Sequence, residues 1–198
     1  HQSVGQPNQE FFDTKDVFLQ KYSNVLPLDL KPSKPYVEYI KEKPLKTNDK
    51  VAVIIPTKGK VELLFDCVNS FFENCDTKLY TIFIADTGSS KEEKEWIRKN
   101  ILHLGDVRLI EYDYYNFAKI NNDVVRNHIS NEYTHILFCN NDIKLRNNVI
   151  YNMLLVFKEN RNVGTVGARL HFEDNTIQHS GVMMKKNNNG SMNLGHIG

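Results

Sequence analysis

The chain has 198 residues, 40% hydrophobic and 25% charged, which suits one well-buried soluble domain or a domain with an extension. Lys+Arg 25 against Asp+Glu 24 leaves a net charge of +1, so no basic field argues for nucleic-acid binding. No apolar run approaches the roughly 20 residues of a membrane span, no signal peptide opens the chain, and three cysteines without metal-site spacing point to buried thiols in a reducing, cytoplasmic compartment.

Residues 1–48 differ from the rest of the chain. They carry Pro7, Pro27, Pro32, Pro35 and Pro44, with one short amphipathic helix suggested by Phe11, Phe12, Val17, Phe18, Leu19 and Tyr22. They read as an N-terminal arm or as the tail of a preceding domain, and 49–198 reads as the main domain.

From Val51 the pattern becomes strand, helix, strand, helix. Val51–Ile55 is a β-branched run ended by Pro56, and Val61–Phe72 has helical spacing. Tyr80–Ala85 is a second buried strand. Lys91–Asn100 is the next helix, capped by Ser89 or Ser90, with Glu92 and Glu93 in its first turn. Val107–Tyr112 is a short strand and Phe117–Ile129 a helix. Residues 133–139 form an apolar strand expected at the centre of the sheet. Asn147–Glu159 is a helix, Val163–Phe172 a further strand, and Asp174-Asn175 a hairpin turn into Thr176–Met184. This alternation predicts an α/β fold with a mostly parallel sheet and helices on both faces.

Polar groups cluster where strands end, which is where ligands bind in open α/β sheets. After the first strand come Pro56, Thr57 and Lys58, in a loop opening a helix and suited to an anion or a base. After the second, Asp86 can accept from an imide N–H or a ribose hydroxyl, or it can simply organise the Asp86-Thr87-Gly88-Ser89 turn. Asn116, Lys119 and Asn121 sit at the entry of a helix, where Lys119 can reach phosphate or Asn116 can act as a cap. Asn140, Asn141 and Asp142 close the apolar strand. One carboxylate beside two amides suits Mg²⁺ or Mn²⁺ that takes its other oxygens from water and a diphosphate.

Taken in order, Ile54-Ile55-Pro56-Thr57-Lys58, Ala85-Asp86-Thr87-Gly88-Ser89, Asn116-Phe117-Ala118-Lys119-Ile120-Asn121-Asn122 and Phe138-Cys139-Asn140-Asn141-Asp142 resemble the nucleotide half of a family 2 glycosyltransferase of the GT-A fold. Val166–Leu170, Ile177–Val182 and Gly195-His196 extend the likeness, which is closest to the bacterial rhamnosyltransferase-like branch. The resemblance implies that Pro56, Thr57 and Asp86 hold base and ribose, that Asn116, Lys119 and Asn121 line the sugar-diphosphate cleft, and that Asn140 and Asn141 accompany Asp142 as the metal ligand. Asn140 stands where many relatives carry an acid. His179 and His196 fall in matching stretches, where a hairpin histidine is more often structural than catalytic, and contact with diphosphate or acceptor is the alternative.

The implied function is inverting transfer from a UDP- or dTDP-sugar to a saccharide or lipid-linked saccharide acceptor in surface polysaccharide synthesis. It requires no nucleic acid, and the parent protein is expected in the cytoplasm, with peripheral association at the inner face of the membrane left open. No Asp or Glu follows Asp174, so the catalytic base is expected beyond Gly198 and the isolated chain is expected to be inactive. The alternative is a non-catalytic nucleotide-sugar-binding or scaffold domain.

Overall fold

The computed structural model describes residues 48–159, 162–186 and 192–197, with side chains through Gly181. The expected N-terminal helix and extended arm lie outside the described residues.

Four strands form one parallel sheet: β1 (Val51–Thr57), β2 (Tyr80–Asp86), β3 (Val107–Glu111) and β4 (His135–Phe138), in the order β3-β2-β1-β4. β1 and β2 run in register from Val51↔Tyr80 to Thr57↔Asp86. Both lie inside the molecule: Ala52, Val53, Ile54 and Ile55 and all of Ile82–Ala85 have no exposed surface. This is why they read as unbroken apolar runs rather than alternating ones. Full burial of each valine, isoleucine or phenylalanine among them is worth about 1.5–3 kcal/mol.

Helices α1 (Val61–Asn74) and α2 (Lys91–Asn100) pack against each other, with Phe65 edge-on to Trp96 at 5.9 Å. α1 buries Leu64, Cys67, Val68 and Phe71, and its Phe71 ring lies 5.7 Å from Tyr80. α3 (Phe117–Asn127) covers the opposite face, where Ile120 and Val124 meet Ala52, Ile54, Phe83 and Ala85. The two faces follow from strand alternation: Phe83 and Ala85 face α3, and Ile82, Ile84 and Asp86 the other side.

Two expectations change with the structure. Residues 133–139 do not form a central strand. Among the described residues β4 is the edge of the four-stranded sheet, pairing with β1 alone from Val51↔His135 to Ile54↔Phe138. Ile136 and Phe138 are accordingly exposed at 42% and 54%. The expected strand 163–172 shrinks to β5 (Leu170–His171), paired antiparallel with β6 (Ile177–His179) through the predicted Asp174-Asn175 turn. Asn175 takes the left-handed conformation (φ 67°) that the turn requires, and Arg146 braces it by donating to Asn175 Oδ1 and, at 3.1 Å, to the Phe172 carbonyl. The expected strand 176–184 is broken at Ser180: β7 (Gly181–Lys186) pairs instead with β8 (Met192–Ile197). α4 (Val149–Glu159) lies between these hairpins and the sheet in sequence.

The chain order matters for function. From β1 the crossovers step one way to β2 and β3, then α3 carries the chain back to β4 on the other side of β1. The direction reverses between β1 and β4, and the crevice at their carboxyl ends is where such sheets bind ligands.

Candidate functional site

The β1 and β2 ends are locked together. The Thr57 carbonyl accepts from both the amide and the hydroxyl of Thr87, each at 2.9 Å. Gly59 N–H donates to Ser89 Oγ at 2.8 Å, and Ser89 in turn donates its hydroxyl to Asp86. Gly59 (φ 59°) and Lys60 (φ 50°) are consecutive left-handed residues, which turn the chain sharply from β1 into α1. Glycine meets that requirement without cost at the first position, and Lys60 carries the strain at the second.

Asp86 is fully buried at the hub of this knot. Its carboxylate accepts from Ser89 N–H at 3.2 and 3.3 Å and pairs with Lys94 Nζ at 3.5 Å. Lys94 is shared with Glu111 at 3.0 Å, and Arg98 also donates to Glu111. Lys94, then Arg98, hold the Glu111 carboxyl below its usual range. Ser90 opens α2 with a capping box: its Oγ accepts from Glu93 N–H at 3.2 Å, and Glu93 accepts from Ser90 N–H at 2.7 Å.

Opposite lies the β4 end. Cys139 continues the ladder by donating to the Ile54 carbonyl at 3.0 Å. Asn141 then spans the switch point, donating from Nδ2 to Thr57 Oγ1 at 2.9 Å. Asn140 and Asp142 are exposed, and Asn141 is half-buried.

Between the two sides is a cleft of about 300 Å³ lined by Pro56, Thr57, Lys58, Lys60, Thr87, Tyr115, Phe117, Asn140, Asn141 and Asp142. Six of the residues singled out from sequence meet here: Pro56, Thr57, Lys58, Asn140, Asn141 and Asp142. Four do not line it. Asp86 faces the turn. Asn116 is the N-cap of α3, accepting from Lys119 N–H at 2.9 Å. Lys119 places its ammonium over the Tyr114 ring, 4.4 Å from the centroid. Asn121 is 5% exposed and donates from Nδ2 to the Phe117 carbonyl at 2.8 Å, bracing the turn that carries Phe117, while its buried Oδ1 has no partner.

Sequence reasoning missed Lys60, Thr87, Tyr115 and Phe117. Tyr115 and Phe117 are 67% and 51% exposed, and the signal was two aromatics flanking Asn116 in an otherwise polar turn. Aromatic rings so exposed at a cleft mouth offer flat apolar faces for a ring to stack on.

Asp142 is the one carboxylate among the lining residues, and Lys58 and Lys60 line the same cleft. Among the described residues no three His, Cys, Asp or Glu side chains gather into a metal cluster. This donor set does not cage a metal by itself. It fits a hard cation that keeps its waters and draws most of its oxygens from a bound diphosphate. His179 lies in β6 and His196 in β8, opposite Val182 in the β7–β8 ladder; the His196 side chain is outside the described residues.

The fold has counterparts among known proteins. The chain is 26% identical over 156 residues to the O-antigen biosynthesis protein RfbC of Myxococcus xanthus, a match covering 75% of this chain and 11% of that protein. It superposes on the mannosyltransferase PcManGT from Pyrobaculum calidifontis, solved with GDP-Man and Mn²⁺, with a TM-score of 0.52 and 14% identity over 82% of this chain and 45% of that one. At that identity the likeness speaks for the fold alone, and the fold is GT-A. Among the described residues no helix is long and apolar enough to cross a membrane. The profile of glycosyl transferase family 2 matches residues 52–192, well over half of the chain and the whole of the cleft, and the chain belongs to that family.

Proposed function

We propose that residues 49–198 form the donor-binding half of an inverting glycosyltransferase that takes a UDP- or dTDP-sugar and serves surface polysaccharide synthesis. The observation that carries the reading is the cleft at the sheet's switch point, where Thr57 and Asn141 are bonded across the gap and Asp142, Lys58 and Lys60 share the lining. That arrangement matches a nucleoside diphosphate: hydrogen-bonding groups for base and ribose at one end, and charges for phosphate at the other. Family membership and the likeness to an O-antigen biosynthesis protein support the substrate class. In motif the chain resembles the rhamnosyltransferase-like branch.

In this reading Pro56 and Thr57 border the base, Lys58 and Lys60 meet the diphosphate, and Asp142 with Asn140 and Asn141 holds Mg²⁺ or Mn²⁺. Bound there, the cation stabilises charge developing on the diphosphate leaving group. Asp86 acts through the turn it organises, setting where Thr57 and Thr87 present themselves. Asn116 and Asn121 act likewise on the Tyr115–Phe117 lip. The acceptor is a saccharide or lipid-linked saccharide.

Isothermal titration of the purified chain with UDP, dTDP and GDP, each with and without Mn²⁺, tests this. Metal-dependent binding of UDP or dTDP that disappears in Asp142→Ala is the expected result. Binding that ignores both the metal and Asp142, in a folded protein, would reject the donor-site assignment.

A further inference from the structure

Beneath the Asn140–Asp142 turn lie two thiols from distant parts of the chain. Cys67 comes from the buried face of α1 and Cys139 from the residue after β4, and their sulfurs are 4.0 Å apart. Both also approach one acceptor: Cys139 Sγ is 3.2 Å and Cys67 Sγ 3.5 Å from the Asn140 carbonyl oxygen. The two S–H groups thus hold the backbone of the first residue of the turn, while the next residue reaches across to Thr57. Cys75, the third cysteine, sits elsewhere, near the Asn147 carbonyl at 4.0 Å.

We propose that Cys67 and Cys139 form a reversible dithiol–disulfide pair that sets the position of the Asn140–Asp142 turn, so that oxidation by a peroxide misaligns the cleft. The chemistry is balanced with hydrogen peroxide as oxidant. One thiol loses its proton and attacks a peroxide oxygen, giving a sulfenic acid and hydroxide, which takes up that proton as water. The second sulfur displaces hydroxide from the sulfenic sulfur, and its own proton leaves with it as a second water. Two sulfurs are oxidised and one peroxide becomes two waters. A dithiol reductant reverses the step by thiol–disulfide exchange.

Geometry supplies the coupling. An S–S bond is about 2.05 Å long, so the sulfurs must close by about 2 Å. α1 is anchored by Leu64, Val68 and Phe71, all fully buried, whereas β4, among the described residues, pairs with β1 alone. The movement therefore falls on the β4 end. Both S–H donors to the Asn140 carbonyl vanish at the same time, and the 2.9 Å tie from Asn141 to Thr57 is put under strain. Cys139 keeps 6% of its surface exposed and Cys67 none, so peroxide reaches Cys139 first.

The effect on ligand binding rests on the donor-site reading, but the pair itself is tested without any ligand. The Cys75→Ser chain, with and without an added Cys139→Ser, is treated with hydrogen peroxide, mapped as non-reduced peptides, and followed by the Asn141 side-chain amide signal in NMR. Expected in Cys75→Ser are a Cys67–Cys139 cross-linked peptide lacking two hydrogens, a shifted Asn141 signal, and recovery of both with dithiothreitol. Neither change is expected once Cys139 is serine. A reduced chain that binds UDP with Mn²⁺ should lose at least about fivefold in affinity on oxidation, the low end of ordinary coupling between sites. Thiols that stay free or pass to sulfinic acid without a cross-link overturn the proposal. So does a cross-link that leaves the Asn141 signal in place, or an unchanged affinity in a chain that binds when reduced. A reduced chain that binds no nucleotide counts against the donor site, while the cross-link and the amide signal still decide the thiol pair.

Discussion

The two walls of the cleft are built differently. The β1–β2 wall comes from central strands, and its turns are tied by buried bonds through Thr57, Gly59, Thr87, Ser89 and Asp86. The β4 wall comes from a strand that, among the described residues, pairs with β1 alone, its Asn140 and Asp142 are exposed, and the side chain of Asn141 joins it to Thr57 on the other wall. The first wall is a preformed cradle whose polar groups are spent on one another. The second keeps its polar groups for a ligand or an ion and has the freedom to adjust. Preorganisation on one side and adjustable charge on the other is a workable division for a site that must bind a diphosphate and then release it.

The contrast can be broken most severely at Asp86. Asp86→Ala strips Ser89 and Lys94 of a buried partner and should cost about 3 kcal/mol, read as a lower urea midpoint with unchanged slope. A loss under about 1 kcal/mol would mean that the turn holds itself. Ser90→Ala, also on the rigid side, removes the capping box of α2 and should cost about 1 kcal/mol in the same assay.

Between the walls, Thr57→Val keeps the shape and removes the acceptor for Asn141. The expected loss is about 1 kcal/mol of stability, with the Asn141 side-chain amide becoming more mobile in NMR relaxation. An unaltered amide would show that the tie does not restrain the β4 wall. Asp142→Ala should leave stability within about 0.5 kcal/mol while metal-dependent nucleotide binding goes, the signature of a residue kept for ligand rather than fold.

The smallest effect is that of acid on the rigid side. Lys94 lowers the Glu111 carboxyl pKa in the folded chain. A depressed folded value means that Glu111 contributes stability above the ordinary carboxylate range, and that this is lost as pH falls through it. Glu111→Gln should therefore flatten the acid limb of a thermal-melt series slightly. A limb that is unchanged would show that the exposed pair contributes nothing measurable.

Much of the architecture is legible in the residues alone. The apolar runs Val51–Ile55 and Tyr80–Ala85 read as buried strands, and Ser-x-x-Glu places the cap of α2 at Ser89 or Ser90, between which the structure chooses Ser90. Pro56, Thr57, Lys58, Asn140, Asn141 and Asp142 meet because all stand at or just after the carboxyl ends of strands of one parallel sheet, whose ends must share an edge. Other expectations depended on neighbours. An apolar strand such as Ile136–Phe138 looks the same at the centre or at the edge, since composition does not reveal whether a second partner pairs with it. The direction of the Asp86 carboxylate turns on Ser89 and on Lys94 in the first turns of α2, so a strand-end acid alone leaves ligand and turn roles equally open.

The sequence by itself determined the α/β class, the order of the elements and which loops carry polar chemistry, because periodicity and turn residues are local properties. Tertiary structure decided that β4 is an edge, that Asp86, Asn116 and Asn121 brace turns, that Tyr115 and Phe117 form the lip, and that Cys67 meets Cys139 across 72 residues. Each of these depends on which distant side chain arrives within a few ångströms, and only packing brings such pairs together.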